Sequence, residues 1–267
     1  MDPKARLAAI QCFLLDMDGT VYLGRQVFPG ARRFFEQLSR TGRRHLFLTN
    51  NSSRTSAEYV DKLAALDLPG GEGAVYTSGD ATIEYFVQHG LGRRIYLLGT
   101  TSLCQQFERE GFTLTAEQPD AVLLAFDKEL TYERVRVACR LIRDGVPYFA
   151  THPDFTCPVE EGYIPDAGAM AEMIAAATDG ARPQVIGKPE RHIIDGALAR
   201  AGVGPEAAAF VGDRLMTDIA AGVRAGILSI LVLSGETTRE MLRDAQWQPD
   251  LVYPDIGALA EDLDERS

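Results

Sequence analysis

Two carboxylates one residue apart, Asp16 and Asp18, end an apolar run from Ile10 to Leu15, and Gly19 and Thr20 follow. An apolar run broken by a turn reads as a buried strand of a parallel sheet. In open α/β sheets, ligands bind just beyond the carboxyl ends of the strands. Like charges this close repel, so a bound cation is the simplest way to keep both ionised at neutral pH. The pair fits one nucleophile and one acid/base group sharing a site with a hard metal.

Three more strand ends carry polar groups suited to the same site. The run His45–Leu48 leads into Thr49-Asn50-Asn51-Ser52-Ser53. Thr49 Oγ and the neighbouring backbone N–H groups could hold a phosphate, as helix N-termini do. Ser52 and Ser53 read instead as caps of a helix over Arg54–Leu66. Gln184–Ile186 delivers Gly187-Lys188-Pro189, and a lysine at a helix start is unfavourable beside the positive end of the helix dipole unless an anion sits nearby. Ala207–Val211 delivers Gly212-Asp213, with Asp218 five residues on. Gly212 is expected to turn the backbone so that Asp213 points back at the site. Asp213 fits direct metal coordination. Asp218 fits two roles: support for Lys188 or for a water beside the metal, and the acidic N-terminal residue of a helix.

These stretches resemble, in order, the four signatures of the haloacid dehalogenase-like hydrolases: Asp16-Met17-Asp18-Gly19-Thr20, a strand ending Thr49-Asn50-Asn51, Gly187-Lys188-Pro189, and Gly212-Asp213-Arg214-Leu215 with Thr217-Asp218-Ile219. Their wording is that of the NagD-like, 4-nitrophenylphosphatase-type branch (class IIA, with a C2-type cap). The likeness is strong over residues 13–60 and 184–235 and weaker between. It implies a Rossmann-like parallel-sheet core and an α/β cap inserted between the second and third signatures. It also implies Mg²⁺ held by Asp16, Asp213 and the backbone carbonyl of Asp18. Asp16 would attack phosphorus and Asp18 would handle the proton, with Lys188 supplying positive charge. Thr49, Asn50 and Asn51 would bind substrate. A cap loop around Asp166 would face the core site. Many members have Gly where this chain has Asp166, so that carboxylate either meets the substrate or merely caps the helix from Ala169. His152 reads as a satisfied histidine. Mg²⁺ also suits the donors themselves, which are hard oxygens with no His/Cys cluster beside them.

The elements agree with that architecture. A helix is expected from Pro29–Gly30 to Arg40, with Phe34, Phe35 and Leu38 on its apolar face. Ala74–Ser78 reads as a strand and Gly79–Gln88 as a helix. From about residue 80 to 183 the alternation begins again: strands at Arg94–Leu98, Ala121–Phe126 and Pro147–Thr151, and helices at Ser102–Glu110, Tyr132–Arg143 and Ala169–Ala177. About a hundred residues with their own strands and helices suffice for a second domain. The expected division is a core of 1–79 and 184–267 and a cap of 80–183, with joins near Gly79–Thr82 and Ala181–Pro183. Strands at Ser229–Leu233 and Pro249–Tyr253 and a helix at Ile256–Leu263 complete the core, before an acidic tail, Glu261–Ser267, expected to fray.

Composition narrows the function classes. The chain has 267 residues and a formal net charge of −11, with no basic cluster. Such a chain is a poor partner for nucleic acid or an anionic membrane, but a small phosphate ester needs only local positive charge. Cys12, Cys104, Cys139 and Cys157 are widely spaced, which suits free thiols in a reducing compartment. The polar start and the absence of a long apolar stretch add to a cytoplasmic expectation. The expected function is a Mg²⁺-dependent phosphatase of small phosphomonoesters, sugar phosphates or nucleoside monophosphates, with p-nitrophenyl phosphate as an artificial substrate. A phosphotransferase or mutase, and a non-catalytic phosphometabolite-binding protein, are the alternatives. A homodimer is an expectation of the resemblance alone.

Overall fold

The computed structural model describes residues 2–159 and 161–264; the end of the acidic tail, 265–267, lies outside the described residues. The chain divides into two compact units. The first comprises residues 1–49, 60–76 and 188–267, and the second residues 50–59 and 77–187.

The first unit is built on a six-stranded sheet. Its order is Leu251–Tyr253, Leu228–Val232, Ala208–Gly212, Cys12–Leu15, Arg44–Thr49, Val75–Thr77. Cys12–Leu15 is buried at every position and pairs in parallel with Ala208–Gly212 on one side and Arg44–Thr49 on the other. From this strand the chain runs outward in one direction through Arg44–Thr49 and later in the opposite direction from Ala208–Gly212. The strand order therefore reverses at Cys12–Leu15, and the crevice at its carboxyl end is where a parallel sheet opens. Register aligns the tips: Leu15 lies opposite Phe47 and Val211, and Asp16 N–H donates to Val211 O at 2.9 Å. Helix Ala31–Arg40 covers the sheet with Phe34, Phe35 and Leu38, and Phe34 meets Phe13 edge to face at 5.5 Å.

The second unit has its own parallel sheet of five strands: Gln184–Val185, Tyr148–Ala150, Ala121–Leu124, Arg94–Leu98, Thr113–Leu114. Alternate residues of Ala121–Leu124 feed opposite faces, as strand geometry requires. Ala121 and Leu123 pack with Ile83, Phe86 and Phe107 from helices Ser78–His89 and Thr101–Arg109. Val122 and Leu124 pack with Ala138, Leu141 and Ile174 from helices Tyr132–Arg143 and Ala167–Ala177. Each of the four helices is capped by a side chain: Thr77, Thr100, Thr131 and Asp166 accept N–H groups of their first turns. The four cysteines are free thiols. Among the described residues, no helix is long and apolar enough to cross a membrane.

Several expectations need correction. The short strand before Lys188 does not belong to the first unit: Gln184–Val185 pairs with Tyr148–Ala150 in the second sheet. The chain passes between units at 187/188 and at 76/77 rather than near 79–82 and 181–183. Residues 50–59 cluster with the second unit because Ser52 and Ser53 are bonded into it. Phe126 N–H donates to Ser52 Oγ (2.9 Å), and Thr100 Oγ1 donates to Ser53 O (3.1 Å). Neither serine caps the following helix, Ser56–Ala65. Thr55 and Glu58 do so reciprocally, Glu58 N–H to Thr55 Oγ1 and Thr55 N–H to Glu58 Oε2. The loop read around Asp166 is entered from an antiparallel pair of strands, Thr156–Val159 with Gly162–Pro165. A helix at Pro3–Ala9 was not expected. Asp2 caps it, Pro3 opens it and Leu7 anchors it in the core.

Candidate functional site

Within the first unit, four polar side chains converge at the carboxyl end of the sheet. Asp16 follows Cys12–Leu15 directly, and Asp213 follows Ala208–Gly212. Asp218 sits on a π-helical turn, Leu215–Ile219, that carries the chain from Asp213 into helix Ala220–Ala225. Lys188 precedes helix Arg191–Ala201. Its Nζ lies 2.5 Å from Asp16 Oδ1 and 2.8 Å from Asp218 Oδ1, and it also donates to Leu48 O at 3.3 Å. The side chains of Lys188 and Asp218 are almost wholly buried. Carboxylate oxygens of Asp16, Asp213 and Asp218 lie within 4.8 Å of one another.

Electrostatics make this cluster incomplete as it stands. Three carboxylates, those of Asp213 and Asp218 buried and that of Asp16 nearly so, face one ammonium. Burial pushes Asp16 well above the usual carboxylate range; Asp218 and Asp213 push the same way and Lys188 opposes them. Burial, reinforced by the charge of Asp218, raises Asp213 to about 7. Burial alone would lower Lys188, but Asp16 and Asp218 outweigh it and hold the ammonium charged. Asp213 Oδ2 accepts Glu236 N–H at 2.7 Å, whereas the buried Oδ1 has no hydrogen-bond partner among the described residues. An excess of buried negative charge, hard oxygen donors and an unsatisfied carboxylate oxygen fit a small divalent cation.

Glycines make room for these carboxylates. A side chain on Gly19, whose φ is +92°, would meet Asp213 Oδ2 at 2.5 Å, and one on Gly235 would run into the same carboxylate. Gly212 is needed for a different reason from the one expected. It stays in strand register with Leu231, and a Cβ there would lie 2.3 Å from Asp218 Cβ. It permits the approach of Asp218 rather than turning Asp213.

Asp18 belongs to the same unit, on the turn after Asp16. The Met17 carbonyl there collects the N–H groups of Thr20, Val21 and Tyr22. Thr49 ends strand Arg44–Thr49 and is buried. Asn50, Asn51 and Asp166 belong to the second unit. Asn50 Nδ2 donates to Asp154 Oδ2 (2.7 Å). Asn51 Oδ1 accepts from Ser53 N–H (3.0 Å) and Oγ (2.8 Å), a local Asx turn. Asp166 caps helix Ala167–Ala177, two residues earlier than expected, and its Oδ1 lies 2.9 Å from His152 Nε2. His152 is buried, with Nδ1 2.8 Å from Thr151 Oγ1, as expected of a satisfied histidine. Lys62, whose Nζ lies 3.5 Å from Asp18 Oδ1, was not among the residues singled out in the sequence. Its only sequence signal was its place near the end of the helix after the second strand tip.

The haloacid dehalogenase-like hydrolase model matches residues 13–113, and a second HAD-hydrolase-like model matches residues 185–259. The chain is 36% identical over 237 residues to the 5′-nucleotidase YutF of Bacillus subtilis, covering 89% of this chain and 92% of that one. It is 34% identical over 256 residues to an acid sugar phosphatase of Staphylococcus haemolyticus, covering 96% and 97%. It superposes on the 4-nitrophenylphosphatase of Thermotoga maritima with a TM-score of 0.92 at 46% identity, covering 96% and 98%. The chain belongs to the haloacid dehalogenase-like hydrolase family, in the branch that holds NagD and the 4-nitrophenylphosphatases.

Proposed function

We propose that this hydrolase is a Mg²⁺-dependent phosphatase of small phosphomonoesters acting through an aspartyl-phosphate on Asp16. The observation that carries the reading is the buried cluster in which Lys188 Nζ touches Asp16 Oδ1 while Asp213 Oδ1 is left without a hydrogen-bond partner among the described residues. Phosphoryl transfer is mostly positioning and charge neutralisation, and this cluster is organised for both. The names of the relatives favour sugar phosphates and nucleoside monophosphates as substrates.

The carboxylates of Asp16 and Asp213 and the backbone carbonyl of Asp18 would hold Mg²⁺. The ion would supply two positive charges that neutralise the phosphoryl group and keep Asp16 ionised despite its burial. Lys188 adds a third charge, held in place by Asp218. Thr49 Oγ and the peptide N–H that follows it hold phosphoryl oxygens. Asp16 attacks phosphorus in line, the bond to the ester oxygen breaks, and Asp18 gives that oxygen its proton. Asp18 then takes a proton from the water that attacks the aspartyl-phosphate. Inorganic phosphate leaves and Asp16 is restored.

Phosphate release from a panel of sugar phosphates, nucleoside monophosphates and p-nitrophenyl phosphate, with Mg²⁺ and with EDTA, tests the proposal. Mg²⁺-dependent release is expected. Folded protein that releases no phosphate from any ester in Mg²⁺ would overturn it.

A further inference from the structure

The two carboxylates of the first signature have separate lysines. Lys188 is bonded to Asp16, and Lys62, from helix Ser56–Ala65, reaches the other: its Nζ lies 3.5 Å from Asp18 Oδ1. The Lys62 side chain is only 20% exposed. Its ammonium also lies 4.1 Å from the centre of the Tyr22 ring. Tyr22 is a rigid platform. It is fully buried, its hydroxyl donates to Met17 Sδ at 3.4 Å, and its carbonyl accepts Gly19 N–H at 2.8 Å. The backbone of the Asp18 turn is thus fixed by its own hydrogen bonds, while the Asp18 carboxylate, 28% exposed, faces a cation presented by a different element.

We propose that Lys62 is a positioning residue for Asp18, anchored on Tyr22 and holding the carboxyl in one orientation through both proton transfers. A group that must give a proton to the ester oxygen and later take one from water gains most from staying in one place. The inference rests on the phosphatase reading above.

The test exploits leaving groups. An alkyl phosphate such as a sugar phosphate needs its departing oxygen protonated; p-nitrophenolate leaves without help. Lys62→Met should lower kcat/KM on the sugar phosphate by about 10- to 100-fold, part of the general-acid contribution. On p-nitrophenyl phosphate kcat/KM should change by less than about threefold. Asp18→Asn should show the same contrast, enlarged. Lys62→Arg should restore much of the loss, and Lys62→Gln replaces the Met variant should that one fail to fold. An equal fall on both esters, a rise in KM alone, or no fall at all would overturn the assignment while leaving the phosphatase reading intact. A wild-type protein inactive on both esters would overturn that reading, and this assignment with it.

Discussion

Each unit buries a chain of polar side chains, and the two chains end differently. In the second unit, Phe126 N–H, Ser52, Thr151, His152, Asp166 and Ala167 N–H are linked in sequence by hydrogen bonds of 2.6–3.0 Å. Both nitrogens of His152 are engaged. In the first unit, three carboxylates share one ammonium, and the buried Asp213 Oδ1 has no hydrogen-bond partner among the described residues. Buried polar groups are normally satisfied, because each unsatisfied one costs about 1–3 kcal/mol. A closed network therefore reads as architecture and an open one as a place prepared for something else. A histidine bonded to an aspartate invites a catalytic reading; here that pair is closed off and holds a loop to a sheet, and the open cluster, which has no histidine, is the one the proposed chemistry uses.

The comparison can be broken experimentally, and the largest effect is expected at Asp16. Asp16→Asn should lower phosphate release by about 10⁴-fold or more, with a thermal melt close to wild type. Normal turnover by that variant would refute Asp16 as the nucleophile. Lys188→Met strands Asp16 and Asp218 in the interior. Chemical unfolding without metal should show a loss of about 3–5 kcal/mol, and an unchanged midpoint would show the trio to be more solvated than its burial implies. Mg²⁺ should stabilise the wild-type protein by roughly 2.7 kcal/mol at a hundred times its dissociation constant, and Asp213→Asn should abolish that increment. A retained increment would move the metal away from Asp213. The smallest expected effect lies in the closed network. His152→Phe leaves Thr151 and Asp166 short of partners and should cost about 1–3 kcal/mol while the Mg²⁺ increment persists. Loss of the increment would mean that the two networks are coupled.

Much of the first unit was legible because its candidate site residues sit where an apolar run stops. Asp16, Thr49 and Asp213 each sit at or just past the end of a buried strand, and a run of Phe, Leu, Ile and Val ended by polar residues announces that position. Lys188 was found, but its setting was misread. Gln184–Val185 looks like any short strand, and nothing local says which of two sheets it joins. Gly212 was credited with a turn because glycine has two uses; only the approach of Asp218 shows which one applies. Thr55 was overlooked for Ser52 and Ser53 although Thr55-Ser56-Ala57-Glu58 is a capping box in plain view. The strand pair leading to Asp166 shows no alternation strong enough to separate it from a loop. Lys62 was unreadable because an exposed-looking lysine on a helix is ordinary until its helix is packed.

The central strand of the first sheet also dictates an order of events during synthesis. Cys12–Leu15 is made before either of its two neighbours, and one of them, Ala208–Gly212, lies nearly two hundred residues downstream. At typical elongation rates that is a wait of roughly ten to forty seconds. Most of the second unit, residues 77–187, is contiguous and emerges whole in the interval. It can bury its core while the edge of Cys12–Leu15 is still waiting for its partner. A nascent chain that has reached Gly187 already holds Asp16 and the residue paired with Lys62, but neither Lys188 nor Asp213. Asp16 therefore gains its ammonium and the carboxylate beside it only after the second unit has been made.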